Sequence, residues 1–362
     1  MKIFFANPRS QNLRIKKKIT NVLNEVILQK NYILDNQNRK FENNLKRYFN
    51  IKYAVGVNSG TDALKIAIKS LGIKKNSEII IPTLTATATG SAVLEAGAKP
   101  VIIDVDETGN LNFEILTQKI SKKTKAIIVV HLHGNLANIE RIKKIAGNIP
   151  IIEDCAQSFG SSIKNKKAGT FGKVACFSFY PTKNLGGVGD GGAIITNDNS
   201  IYKKILSLRQ YGWDKKRVSQ VPGYNSRLDE IQAAILNLKI KNISRDNNER
   251  IKIAKSYIKA FKDLPIDYPK IRKNSKHTYH LFVIKTKNRD KLINYLKLNK
   301  IYPSIHYKYS LHEMPSFKRY KKSTMIYADD LTKNMISLPL YPGLNDKEQK
   351  KVIKVIKQYF NQ

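Results

Sequence analysis

Along the first two-thirds of the chain, apolar residues gather into short dense blocks, and between the blocks they recur at helical spacing. The blocks at 52–58 (KYAVGVN), 78–82 (EIIIP), 100–106 (PVIIDVD), 125–132 (KAIIVVHL), 150–154 (PIIED), 174–180 (VACFSFY) and 191–197 (GGAIITN) have the length and β-branched content of buried strands. Between them, 61–72, 85–97, 112–121 and 138–147 read as helices, the first closed by Gly72. This alternation predicts an α/β fold with a mostly parallel central sheet flanked by helices on both faces. Sheets of that kind bind ligands at the carboxyl ends of their strands. After about Asp229 the pattern changes: 229–262 reads as long helices, followed by a strand at 278–285 and helices near 289–299 and 346–360. The expected division is a large α/β domain over 1–240 and a smaller C-terminal α+β domain over 241–362.

Composition narrows the function classes. No internal repeat or low-complexity block interrupts the chain, and no apolar run is long enough to span a membrane. The opening MKIFFANPRS is apolar for too few residues to be a signal peptide, so the expected location is the cytoplasm, with no membrane partner. Two cysteines, Cys155 and Cys176, imply no disulfide framework and sit in apolar strand contexts as packing residues. The formal net charge is +37, from 65 Lys+Arg against 28 Asp+Glu. The basic residues are spread through every segment, and neither nucleic-acid-reading aromatics nor zinc-ligand spacing is present. A lysine-rich soluble surface is therefore expected rather than a nucleic-acid partner, and no metal site. The positive field would still attract an anionic small molecule.

The segment SFYPTKNLGGVGDGG (178–192) places Lys183 ahead of five glycines. A phosphate-binding P-loop would put its glycines before the lysine, so that reading does not fit. A lysine forming a Schiff base needs a carbonyl cofactor, a carboxylate to manage that cofactor's electronics and an anion cradle to anchor it. Candidates for all three stand at strand ends. Asp154 closes the strand in IIEDCAQS and could face a protonated pyridinium, with Gln157 reaching the same ring from another edge. In VNSGTDAL, free N–H groups at a helix start and the Thr61 hydroxyl make an anion site, to which Ser178 could add a hydroxyl. Each motif alone is commonplace; their conjunction in chain order is what carries weight.

The run IEDCAQSFG…AGTFGKVACFSFYPTKNLGGVGDGGAIITND resembles the core signature of the DegT/StrS-type sugar aminotransferases, pyridoxal 5′-phosphate enzymes of fold type I. YAVGVNSGTDAL, VHLHGNLANI, LRQYGW…GYNSRLDEIQAAIL, SIHYKYSLHEMPSF and SLPLYPGL extend the resemblance over roughly residues 20–360. It implies that Lys183 links to the cofactor and later shuttles protons, that Asp154 pairs with the ring nitrogen, and that Gln157 lies by the phenolic oxygen. It implies Gly60, Thr61 and Ser178 at the phosphate, and Asn225 reaching the phosphate of a neighbouring subunit in a homodimer with shared active sites. Arg227 and Glu230 are expected to support that loop and the subunit interface. His131 is expected to support Asp154 or the ring region. The activity implied is transfer of an amino group from L-glutamate to a 3-keto or 4-keto sugar on a nucleoside diphosphate, through the pyridoxamine form, for amino-sugar or surface-glycan biosynthesis.

The chain also departs from the family pattern. An aromatic that commonly stacks on the ring is replaced by Ala86 in PTLTATAT, and the histidine some relatives carry two residues earlier is Leu84. His133 stands where tyrosine is common and is expected to be a hydrogen-bonded strand-end histidine. Thr85, Ala86, His306, Tyr307 and His312 are candidate substrate contacts. A cyclitol or other non-nucleotide ketone is the alternative substrate. A deoxygenating dehydratase would carry histidine at the position of Lys183, and a charge-driven nucleic-acid-binding regulator is the non-enzymatic alternative.

Overall fold

The computed structural model describes residues 2–321 and 323–361; Met1 of the opening segment and Gln362 of the expected C-terminal domain lie outside it. Seven strands form the central sheet: β1 (Tyr53–Val57), β2 (Glu78–Pro82), β3 (Lys99–Ile103), β4 (Thr124–Val130), β5 (Ile151–Asp154), β6 (Val174–Ser178) and β7 (Gly192–Thr196). Their order is β1-β7-β6-β5-β4-β2-β3. Every pairing is parallel except the two made by β7, which runs antiparallel to both β1 and β6. All seven expected blocks are strands, most of them trimmed by one to three residues at an end.

Successive residues alternate between two cores, because side chains along a strand point to opposite faces. Ile79, Ile81, Ile128 and Val130 join one cluster with the helices Gly60–Ser70, Thr87–Glu95 and Asn199–Leu208. Ile80, Ile127 and Val129 join the other with the helices Asn36–Phe49, Ile139–Ala146 and Glu230–Ile240. Burial on both faces explains why the strands read as continuous apolar runs rather than alternating ones.

A third core lies in the C-terminal unit. It is built from the helices Ile243–Ala260, Arg289–Leu298 and Asp346–Phe360 against the antiparallel pair Phe282–Lys285 and Met335–Leu338. The start of the chain belongs to it. Ile3 is buried there, Ile3–Phe4 pairs in parallel with Ile301–Tyr302, and the Leu340 N–H donates to the Phe5 carbonyl. Strand pairing thus ties the first residues of the expected 1–240 unit to the C-terminal unit. No helix among the described residues is long and apolar enough to cross a membrane.

Candidate active site

Strand ends bring the candidate residues to one edge of the sheet. In register, Asp154 neighbours Val130 on β4 and Cys176 on β6, while Gly192 neighbours both Val57 on β1 and Ser178 on β6. The helix Gly60–Ser70 starts directly beyond β1, with the Ser59 side chain accepting from the Asp62 N–H at 3.1 Å as its N-cap. That leaves the N–H groups at Gly60 and Thr61, the start of the helix, for a ligand. The backbones here are close. A Cβ on Gly60 would come 2.7 Å from Ser178 Cβ, and one on Gly192 would come 2.3 Å from the Ser59 carbonyl oxygen. Only glycine fits at either place, and the result is a cradle open to an anion beside the Ser178 and Thr61 hydroxyls.

Lys183 stands in the turn after β6, its N–H donating to the Tyr180 carbonyl at 2.8 Å. The turn is held from outside: the Val188 N–H donates to Gln232 Oε1 at 2.9 Å, and buried Lys239 donates to the Gly186 carbonyl at 2.7 Å. Asn184 reaches across to Asn247 Oδ1 at 2.8 Å and the Thr278 carbonyl at 3.2 Å. Burial pushes the Lys183 ammonium down to about 8, with the nearby Asp154 charge opposing the shift. Burial pushes the Asp154 carboxyl up, and hydrogen bonds from Ala156 and Thr89 and the charge of Lys183 work the other way. The two groups therefore stabilise each other's charge in a desolvated setting, and the lysine is closer to its nucleophilic form than a free one.

Gln157 is fixed on both ends of its amide. Its Oε1 accepts from the His133 N–H at 2.7 Å and its Nε2 donates to the Tyr307 hydroxyl at 2.8 Å. His133 also contacts the His306 carbonyl through Nε2 at 3.0 Å, so the loop after β4 grips the 306–307 segment of the C-terminal unit. Thr85 lies beside Thr89, Oγ1 to Oγ1 at 2.9 Å, and Thr89 donates to Asp154 Oδ2 at 3.0 Å.

Other expected residues fall elsewhere. His312 is not free to meet a substrate: its Nδ1 contacts Thr83 Oγ1 at 2.7 Å and its Nε2 contacts Asp329 at 3.2 Å, which makes it a packing residue. The His306 ring turns to Ser337 Oγ at 2.9 Å and to Phe5, leaving its carbonyl at the site. The His131 ring serves Glu153, not Asp154. It accepts from the Ala137 N–H at Nδ1, which leaves the proton on Nε2 for Glu153 Oε2 at 3.0 Å. Burial works to raise the Glu153 carboxyl, but His131 and the N–H groups of Gly172 and Gly169 outweigh it and hold the group below its ordinary value. Ala86 sits at the N-cap of the helix Thr87–Glu95 without a capping side chain, and Leu84 is in the core. Asn225 is exposed in the loop before Leu228, and the neighbouring Ser226 Oγ accepts from the Asn58 N–H at 3.2 Å. Glu230 caps the helix Asn36–Phe49, and the Arg227 guanidinium lies 5.9 Å from the Tyr211 ring.

A phosphorylated aldehyde with a basic ring nitrogen fits this set. The glycine cradle would take the phosphate, Lys183 stands where it could take the carbonyl carbon, and the buried Asp154 carboxylate could pair with a protonated ring nitrogen.

Comparison with known proteins agrees with this chemistry. The family model described as DegT/DnrJ/EryC1/StrS aminotransferase matches residues 13–357. The chain is 37% identical over 358 residues to a dTDP-3-amino-3,6-dideoxy-alpha-D-galactopyranose transaminase of Aneurinibacillus thermoaerophilus, covering 98% of this chain and 99% of that protein. It is 36% identical over 355 residues to a pleiotropic regulatory protein of Geobacillus stearothermophilus, covering 96% and 95%. The fold superimposes on the crystal structure of DesV from S. venezuelae with a TM-score of 0.96 and 31% identity, covering 100% of this chain and 99% of that one.

Proposed function

Because the chain belongs to the DegT/DnrJ/EryC1/StrS aminotransferase family, with pyridoxal 5′-phosphate as its cofactor, we propose that it moves an amino group onto a keto-sugar carried by a nucleoside diphosphate. The observation that carries this reading is the pairing of a desolvated Lys183 with buried Asp154 beside the Gly60–Ser178 cradle. When bound, the cofactor supplies the carbonyl that captures an amino group and the ring that delocalises the resulting electron pair.

The chain's own residues do the rest. Lys183, depressed to about 8, gives up its proton more readily than a free lysine, and its Nζ would carry the proton between donor or acceptor carbon and cofactor. Asp154, held by Thr89 and the Ala156 N–H, keeps a proton on the ring nitrogen. The N–H groups at Gly60 and Thr61, with the Thr61 and Ser178 hydroxyls, neutralise the phosphate. Gln157, its amide locked between His133 and Tyr307, would meet the ring edge. Asn225, exposed in one chain, completes the phosphate site of a second copy in a homodimer. L-glutamate is the amino donor, the acceptor is a dTDP- or UDP-linked 3-keto sugar, and the enzyme works in the cytoplasm. The sugar-nucleotide class rests on the name of the 37% identical relative and on a net charge of +37 that favours a dianionic substrate.

The reading is tested by supplying the loaded protein with L-glutamate and a dTDP-linked 3-keto-6-deoxy sugar and following amino-sugar formation by mass spectrometry. Formation of the nucleotide-linked amino sugar is expected. Turnover of cyclitol ketones with none of nucleotide-linked ones would overturn the substrate class.

A further inference from the structure

We propose that Thr89 is a positioning residue for the ring-facing carboxylate: its hydroxyl, backed by that of Thr85, fixes Asp154 as an oriented anion and sets how firmly the cofactor's ring nitrogen keeps its proton. The inference rests on the cofactor site proposed above and goes beyond it to the hydroxyls that orient its carboxylate.

The geometry assigns the direction of each hydrogen bond. Asp154 is 5% exposed, and its two oxygens have one donor each: the Ala156 N–H on Oδ1 at 3.1 Å and the Thr89 hydroxyl on Oδ2 at 3.0 Å. An ionised carboxylate can only accept, so the single proton of Thr89 Oγ1 points at Asp154. Its lone pairs are then free to accept from Thr85 Oγ1, 2.9 Å away, and the two hydroxyls polarise each other toward the carboxylate. Both threonines are fully buried and sit on rigid backbone, Thr85 just beyond β2 and Thr89 in the first turn of the helix Thr87–Glu95.

Among the described residues, Thr89 is the one side chain that donates a hydrogen bond to Asp154. The His131 ring goes to Glu153, and Lys183 acts on Asp154 through its charge. Burial favours the protonated form of Asp154, so removing the Thr89 hydroxyl leaves a more basic carboxylate that draws the proton away from the ring nitrogen. The electron sink then weakens although the carboxylate, the lysine and the phosphate cradle are all still present.

The test is 15N NMR of the protein loaded with cofactor labelled at the ring nitrogen, together with the single-turnover rate with L-glutamate. In Thr89→Val the nitrogen resonance is expected to move toward the unprotonated position, and the rate to fall about ten- to a hundredfold, the range for losing a hydrogen bond to an ionised group. The KM for glutamate should change little. Thr89→Ser, which keeps the hydroxyl, should restore both, and Thr85→Val should give a smaller shift in the same direction. Should the valine variant not retain cofactor, Thr89→Ala removes the same hydroxyl without adding a methyl group, and the same shift is expected. A resonance at the wild-type position in a hydroxyl-free variant overturns the proposal. The resonance does not depend on which amino donor is right, and a wild-type protein that takes up no cofactor would instead overturn the site itself, and this inference with it.

Discussion

Asp154 and Glu153 are adjacent, both buried, and opposite in character. Glu153 is saturated by His131 and three backbone N–H groups, from Gly169, Phe171 and Gly172, whereas Asp154 keeps one face for a ligand. Asp154→Asn should therefore fold and bind cofactor yet slow the half-reaction about a hundredfold, since a neutral amide cannot hold the ring proton; stopped-flow spectroscopy reads this directly. Four histidines near the site are buried neutral. Burial takes His133 and His277 down to about 3 and His306 to about 4, and carries His280 well below its ordinary value, with Lys183 and Arg250 adding repulsion there. The unfolded chain binds these protons near pH ~6.5 and the folded one does not, so stability is full above about 6.5 and is lost progressively as pH falls toward 4. Urea midpoints at pH 7.5, 6 and 5 should decline in that order; a flat series would contradict it. At this scale the sequence offered Lys183, Asp154, Gly60 and Ser178 as candidates, and the fold sets Lys183 near Asp154 and Gly60 against Ser178. It did not show Thr89 or the true role of His312. Their partners are 65 and 229 residues away in the chain, and no local pattern encodes such contacts.

Elements were legible where burial is two-sided. Strand blocks such as EIIIP stand out because both faces are apolar. The helix Asn36–Phe49 does not: in a polar, asparagine-rich stretch its contacts to the core reduce largely to Phe41, Leu45 and Phe49. The reversed direction of β7 was equally hidden, since a strand's sequence does not state its orientation. Glu230 is what anchors the start of the helix Asn36–Phe49. Its carboxylate accepts from the backbone N–H groups of Asp35, Gln37 and Asn38 and from the Asn38 side chain at 2.7–3.2 Å. Glu230→Ala should cost about 2 kcal/mol or more, the scale of a lost cap plus unsatisfied buried donors, read as a lower urea midpoint. Gly60→Ala should impair cofactor retention, because the added methyl meets Ser178 Cβ at 2.7 Å; equilibrium dialysis with pyridoxal phosphate checks it, and unchanged affinity would contradict the cradle.

The whole molecule ties its two ends together around the site. The first residues pair with the C-terminal unit, which in turn presents His306 and Tyr307 to His133 and Gln157. That closure was beyond sequence reading, because Ile3 and Ile301 meet only in the folded chain. Around the lysine turn, Tyr180, Val188 and Ile231 are about half exposed, an apolar rim that suits the proposed second copy. Light scattering should give a dimer, and Asn225→Ala should weaken cofactor binding without dissociating it; a fully loaded, active monomer would contradict the shared site.

The central claim, that Lys183 and Asp154 form a working transamination site, is tested most directly by one visible spectrum. Purified protein is mixed with pyridoxal phosphate and recorded before and after L-glutamate, beside Lys183→Ala. A yellow band that bleaches with glutamate in the wild type, and does not in the variant, is the predicted result. A wild-type protein that develops no band, or a variant that bleaches as readily, would contradict the account.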